Sequence, residues 1–196
     1  MIGLNNEPTN FTNQLTRNFS KRSVISNGID EIWAVDLVDM QKFSEWNKGV
    51  KYLLMVIDLF SKYGWIKRLR DRRSETVSKA FDEMFETSKR KPKIFWSDKG
   101  SEFISKHFKE FLNKKDIKLY HTENEEKSNV VERWNKTIKN KMWKMFSANN
   151  NTVYWDKIDK LVDDYNKTRH SSIKMKPVDA SKKENEEKVL QICTEN

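Results

Sequence analysis

Apolar and polar positions fall first into short strand-like runs and later into longer stretches with helical spacing. Ile32 to Met40 and Lys51 to Leu59 read as strands, the second apolar at nearly every position and so expected to be largely buried. Tyr63 to Leu69 follows through a tight Ser61-Lys62 connection, which predicts three consecutive antiparallel strands. After Ser74, a candidate helix cap, Val77, Ala80, Phe81, Met84 and Phe85 recur at helical spacing. Pro92 closes the basic turn beyond, and Ile94 to Ser97 makes a short fourth strand. Gly100 and Ser101 open a helix with Ile104, Phe108, Phe111 and Leu112 on one face, and Ile117 to Thr122 makes a fifth strand. An acidic loop from Glu123 to Asn129 leads into a long helix from about Val130 to Phe146. Another helix runs from Val153 to about Thr168, and Pro177 begins a last short turn or helix. From about Lys182 the chain is charged and is expected to fray. This order, without internal repeats, describes an α/β sheet with helices packed on it and does not alone fix a function.

Composition adds a class of partner. Of the 196 residues, 36% are hydrophobic and 12% aromatic, enough for a genuine core. Lys and Arg number 38 against 29 Asp and Glu, a formal net charge of +9. That excess points to a polyanionic partner, nucleic acid before membrane, although many basic proteins are merely soluble. Residues 1–28 are polar, with Arg17, Lys21 and Arg22 among them, and read as a flexible basic arm. A folded unit is expected over 29–181 and a charged C-terminal tail over 182–196. The single cysteine, Cys193, excludes an internal disulfide framework and fits a reducing, intracellular compartment. No secretory signal pattern opens the chain, and the longest apolar run, Tyr52 to Ile57, is far too short to span a bilayer. A soluble protein is expected.

Three carboxylates carry the candidate chemistry. Asp36 interrupts the apolar run Trp33-Ala34-Val35, a costly position unless the acid is paired, hydrogen-bonded or metal-bound. A sheet-edge acid held by a lysine or an amide fits that strand equally well. Asp39 faces the other side of the strand, and Asp58 reads better as a buried structural acid. Asp98 ends the fourth strand before Lys99-Gly100, at the carboxyl edge where open α/β sheets hold their ligands. An Asp-x-Gly turn also occurs commonly without function. Glu132 starts the long helix, whose apolar face is Val131, Trp134, Ile138, Met142 and Met145. Asn135, Lys136 and Lys139 follow Glu132 by three, four and seven residues along a neighbouring face. The plain alternative is a solvated face with an ion pair between Glu132 and Lys136. Together, three carboxylates from two strands and a helix suit Mg²⁺ or Mn²⁺, and two such ions can serve phosphoryl transfer. No cysteine and histidine cluster suggests zinc; His107, His121 and His170 are scattered and read as structural or surface groups.

WAVDLVDM, IDLFSKYGW, SDKGSEF, VVERWNKTIK and YNKTRHSS, then Pro177 and Ala180, resemble in order the motifs of the retroviral-type DDE integrase catalytic core. Within that family the chain resembles the integrases of Polinton (Maverick) DNA transposons, over roughly residues 31 to 180. The resemblance implies an RNase H-like α/β fold: a five-stranded mixed sheet, its first three strands antiparallel, flanked by α-helices. It implies catalytic and metal-ligating roles for Asp36, Asp98 and Glu132, with Asp36 bridging two Mg²⁺ or Mn²⁺ ions. It implies DNA contacts from Asn135, Lys136 and Lys139, and Lys99 stands beside them where the family often has Asn. The implied reaction is attack by water or a DNA 3′-hydroxyl on a phosphodiester, trimming the element end and joining it to target DNA. The implied partners are transposon-end and target DNA and further copies of the chain, without a membrane or a small-molecule substrate, in an intracellular, nuclear setting.

Several features depart from the family pattern. Between Asp98 and Glu132 stand 33 residues, two fewer than is usual in retroviral members, and Asn129 replaces a common Gly. Glu123, Glu125 and Glu126 place acids where DNA should approach, and they are the alternatives to Glu132 as third carboxylate. Residues 1–30 show no His-His-Cys-Cys zinc pattern, and residues 181–196 do not read as a small β-barrel or chromodomain. The reading from a different class is a catalytically incomplete, transposon-derived nucleic-acid-binding protein.

Overall fold

The computed structural model describes residues 26–121 and 129–194. The expected acids Glu123, Glu125 and Glu126, and most of the N-terminal arm, lie outside these residues. The sheet begins with β1 (Ile32–Asp39), β2 (Tyr52–Asp58) and β3 (Gly64–Leu69), paired antiparallel in sequence. Lys62 turns the β2–β3 connection with a positive φ of 61°, closed by a hydrogen bond from Lys62 N to Asp58 O. β4 (Ile94–Ser97) and β5 (Lys118–His121) then run parallel to β1, which gives the order β3-β2-β1-β4-β5. Both parallel joins cross over through helix, as parallel strands require. These helices are α1 (Ser74–Ser88), α2 (Ser101–Ile104) and α3 (Lys106–Lys114).

The strand period assigns each face a core. Trp33, Val35, Leu54 and Phe95 meet Phe81 and Met84 of α1 and Phe108 and Leu112 of α3. Ile32, Ala34, Leu53, Met55 and Ile57 meet α4 (Asn129–Asn149) and α5 (Ile158–Asn166) on the other face. Close packing there requires Gly64: a Cβ at that position would lie 2.5 Å from the Trp134 ring. Asn166 binds both the N–H and the carbonyl of Gly64, each at 2.9 Å, so a side chain from α5 caps the edge strand. Buried Asn47 ties the 3-10 turn Gln41–Asn47 to the α4–α5 connection through Thr152 O, Tyr154 N and Trp155 N.

Three local expectations need correction. The helix expected to open at Gly100 breaks at Ser105, whose extended backbone and hydroxyl, accepting from Phe108 N, cap α3; Ile104 is left 45% exposed. Ser74 is the first residue of α1, not its cap. Between Lys183 and Thr194 the chain is helical and not frayed. After α6 (Pro177–Ala180) it forms α7 (Glu186–Thr194), and Val189 is fully buried against Phe60, Ile173 and Ala180. Glu186 fastens that segment by accepting from Ile29 N at 2.9 Å.

Candidate active site

β1 and β4 are parallel neighbours with Ala34 opposite Trp96. Asp98 follows the last residue of β4, and continuing that register by two residues would bring it beside Asp36, on strands about 4.8 Å apart. Side-chain alternation puts Asp36 on the same face as Ala34 and Val38, the face that α4 covers. Asp36 accepts from Leu37 N at 2.9 Å and from the Asn135 amide. Asp98 accepts from Gly100 N at 3.1 Å, which folds its carboxylate over the turn after β4.

Two residues given no part in the site by sequence pattern support Asp98: Glu102, and His121, which reads in the sequence as a structural or surface group. His121 ends β5 opposite Ser97, and its Nδ1 lies 3.0 Å from Asp98 O, so Nδ1 carries the proton and holds that backbone. Buried Glu102 adds a carboxylate beside Asp98: a Cβ on Gly100 would lie 2.7 Å from Glu102 Oε1 and 3.1 Å from Asp98 Oδ1. The glycine therefore leaves room for two acids to approach each other. SDKGSEF contained Glu102, but spacing gave no sign that it would turn inward.

On α4 the expected residues separate. Glu132, Lys136 and Lys139 are exposed, as is Lys99, which follows the half-buried Asp98. Asn135, expected on an outward DNA-contacting face, is only 6% exposed and points its amide at Asp36. The donor must be the amide NH₂, because an ionised carboxylate only accepts. This leaves Asn135 Oδ1 buried without a partner.

Asp36 thus lies within β1 and Asp98 just past the neighbouring β4, Asn135 reaches Asp36 from α4, and Glu132 stands one helical turn earlier. Among the described residues, no three His, Cys, Asp or Glu side chains stand close enough to hold one ion. The donor set nevertheless fits a hard divalent cation. It is made of carboxylate oxygens, with an orphaned amide oxygen next to them, and such cations prefer oxygen.

Asp58 has the structural role expected of it. It is fully buried and accepts from Ser61 Oγ at 2.6 Å, Arg90 Nη2 at 2.9 Å and Phe60 N at 3.2 Å. Burial raises its carboxyl above the usual range, against the pull of Ser61 and Arg90.

A mixed five-stranded sheet in this order, with helices on both faces and acids at the carboxyl edge, is the RNase H-like architecture of integrase catalytic cores. The family model described as "Integrase core domain" matches residues 27–126, and the chain belongs to that family. A transposon-derived protein of Caenorhabditis elegans is 32% identical over 143 residues, covering 73% of this chain and 50% of the relative. The chain therefore spans about half the length of that curated relative. A chain of the simian T-cell lymphotropic virus intasome in complex with PP2A regulatory subunit B56 gamma superposes with a TM-score of 0.72 at 18% identity, over 82% of this chain and 57% of that one. The HTLV-2 integrase catalytic core in complex with magnesium, in its dimeric form, superposes at 0.63 with 25% identity, over 79% of this chain and 97% of that one. Among the described residues, no helix is long and apolar enough to cross a membrane.

Proposed function

We propose that the chain is the catalytic core of a DNA integrase or transposase that cuts and joins phosphodiesters with divalent metal. The observation that supports this reading is the parallel register of β1 on β4, with Ala34 opposite Trp96, whose continuation leads from Asp36 toward Asp98, together with the bond from Asn135 to Asp36. In this reading Asp36, Asp98 and Glu132 hold two Mg²⁺ or Mn²⁺ ions, which when bound activate the attacking oxygen and stabilise the leaving one. The chain's own residues prepare that site. Leu37 N and Asn135 orient the Asp36 carboxylate, while His121 fixes the backbone that carries Asp98. Lys99, Lys136 and Lys139 face the DNA backbone, and Asn135 contributes by positioning Asp36. The magnesium in the HTLV-2 core supports the choice of metal, and its dimeric and trimeric forms support a homo-oligomer. The transposon-derived relative supports a mobile-element origin. The same proposal takes Polinton-type integrases as the specific class, transposon ends and target as the DNA, and the nucleus as the place of action. The catalytic unit spans 29–181, and α7 braces it from outside that range.

A second reading, a nucleic-acid-binding protein without catalysis, is favoured by one observation: Glu132 stands outside any three-acid group among the described residues. Mn²⁺-dependent cleavage and joining of oligonucleotide DNA by the wild type beside Asp98→Asn decides between them. Activity lost in the variant is the expected result; equal products from both, or none from either, would leave only the binding reading. A panel of RNA–DNA hybrids guards the substrate class, since hybrid cleavage without DNA joining would make the chain an RNase H-type nuclease.

A further inference from the structure

The flank of α4 turned away from Lys136 and Lys139 borders a pocket of about 440 Å³. Arg133, Thr137 and Lys141 line it at four-residue spacing, one ridge of the helix. Lys62 enters from the β2–β3 turn and Arg169 from the segment after α5, so four cations share one wall. Among the described residues, no carboxylate lines the pocket, and neither Arg133 nor Lys141 is held in an ion pair. The inner wall is apolar, with Trp134 against Tyr165 at 4.2 Å between ring centroids.

The segment after α5 is set in place by its own hydrogen bonds. His170 N donates to Met175 O at 2.8 Å, Arg169 Nε to Lys174 O at 3.0 Å, and Ser172 N to His170 Nδ1 at 3.3 Å. Because Nδ1 accepts, the neutral ring carries its proton on Nε2 and keeps one donor. Lys62 is anchored by its ammonium on Leu59 O. Burial, and then the charges of Lys62 and Arg133, pull the His170 imidazole down to about 4, so it stays neutral among the cations. Asp58 behind the turn offsets part of the charge on Lys62, but with no carboxylate lining the pocket Lys62 and Arg133 still repel one another, and an anion relieves that repulsion. Two guanidinium groups match phosphate oxygens in pairs, and a pocket of this size admits a nucleotide-sized group.

We propose that this pocket is a phosphate-binding site, separate from the carboxylate edge, formed by Lys62, Arg133, Lys141 and Arg169. Its ligand is a phosphate carried either by a nucleic-acid strand or by a small phosphorylated compound. The site does not depend on DNA joining, and a loss of cleavage in Asp98→Asn neither supports nor weakens it.

The test uses the whole chain, pyrophosphate as one probe and duplex DNA without terminal phosphates as the other. Titration calorimetry measures the first, and anisotropy across a salt series measures the second. Arg133→Ala with Lys141→Ala is compared with Lys136→Ala with Lys139→Ala. Both pairs are on exposed or half-exposed positions, and Arg133→Lys with Lys141→Arg keeps the charge should the first pair disturb folding. We expect pyrophosphate binding to weaken roughly tenfold in the first pair only, a change of about 1.4 kcal/mol. In the wild type, pyrophosphate should move the His170 titration upward. A DNA salt slope reduced by about 2 in the first pair identifies a strand as the source of the phosphate. An unchanged slope with lost pyrophosphate binding identifies a small phosphorylated compound. If the first pair alters neither pyrophosphate affinity nor salt slope, the proposal is overturned.

Discussion

Asp58 and Asp36 lie on adjacent antiparallel strands, yet the fold treats them differently. Trp33 pairs with Asp58 and Asp36 with Met55, so the two acids sit three residues apart along the ladder, toward opposite ends of the sheet. Asp58 is sealed by a hydroxyl, a backbone amide and a guanidinium that also grips Asp30 at 2.7 Å. Trp65 covers that guanidinium at 4.8 Å from its ring centroid. Asp36 is half-buried, and its neighbouring strand leads to another acid. A buried carboxylate that serves the fold comes with its counter-charge. One placed beside a second carboxylate at a sheet edge suits a cation brought from outside.

The largest separation between the two should come from removing one acid's charge at a time. Asp98→Asn should bring Mn²⁺-dependent cleavage to background and change stability by only about 0.5 kcal/mol, as substitutions off the core do. Arg90→Met should do the reverse. Leaving Asp58 buried without its guanidinium should cost about 3 kcal/mol in urea unfolding, while cleavage by the protein that remains folded persists. If Arg90→Met abolishes cleavage by the folded protein, or if Asp98→Asn unfolds it, the division into structural and chemical acids fails.

Acidity sharpens the same contrast with a smaller effect. The Asp58 carboxyl is raised above 3.8 in the fold, chiefly by burial. Between 3.8 and that raised value the folded chain binds more protons than the unfolded one, so this group's contribution to stability falls as pH rises through the window. Arg90→Met removes an opposing charge and widens the window upward. Its stability deficit should therefore be smaller near pH 5 than near pH 7, measured by urea midpoints at both. A deficit independent of pH would assign the loss to packing against Trp65 and not to the charge.

What could be read in the sequence followed from period and run length. The three antiparallel strands, the fourth and fifth strands and the apolar face of α4 all follow from side-chain alternation or helical spacing. Asp98 at a strand end before Gly100 was visible for the same reason. Contacts made through space were not. Ser105 breaks a continuous apolar stripe because its hydroxyl caps α3 better than the stripe continues. The charged tail hides Val189, one side chain that closes a small core with Phe60 and Ile173. Spacing put Asn135 with Lys136 and Lys139, but it stands closer to the apolar ridge of Trp134 and Ile138, and the sheet takes it inward. Glu102 and His121 depend on the turn after β4 and the register of β5, which local pattern does not encode.

Asn135→Ala offers the smallest and most discriminating change. The variant removes a hydrogen bond to an ionised carboxylate, a loss of about 1.5–3 kcal/mol taken alone. It also removes Asn135 Oδ1, a buried acceptor without a partner, whose desolvation the native fold already bears. The two effects oppose, so the net loss should be about 1 kcal/mol. Activity should respond more than stability, because a side chain that orients a metal-holding carboxylate typically contributes about 10- to 100-fold. The Mn²⁺ concentration for half-maximal cleavage should rise, and saturating Mn²⁺ should restore part of the rate. A structural role would lower the amount of folded protein and leave that concentration unchanged. Asn135 would then belong with Asn47 and Asn166, amides that hold elements together, and Asp36 would have to be oriented by something else.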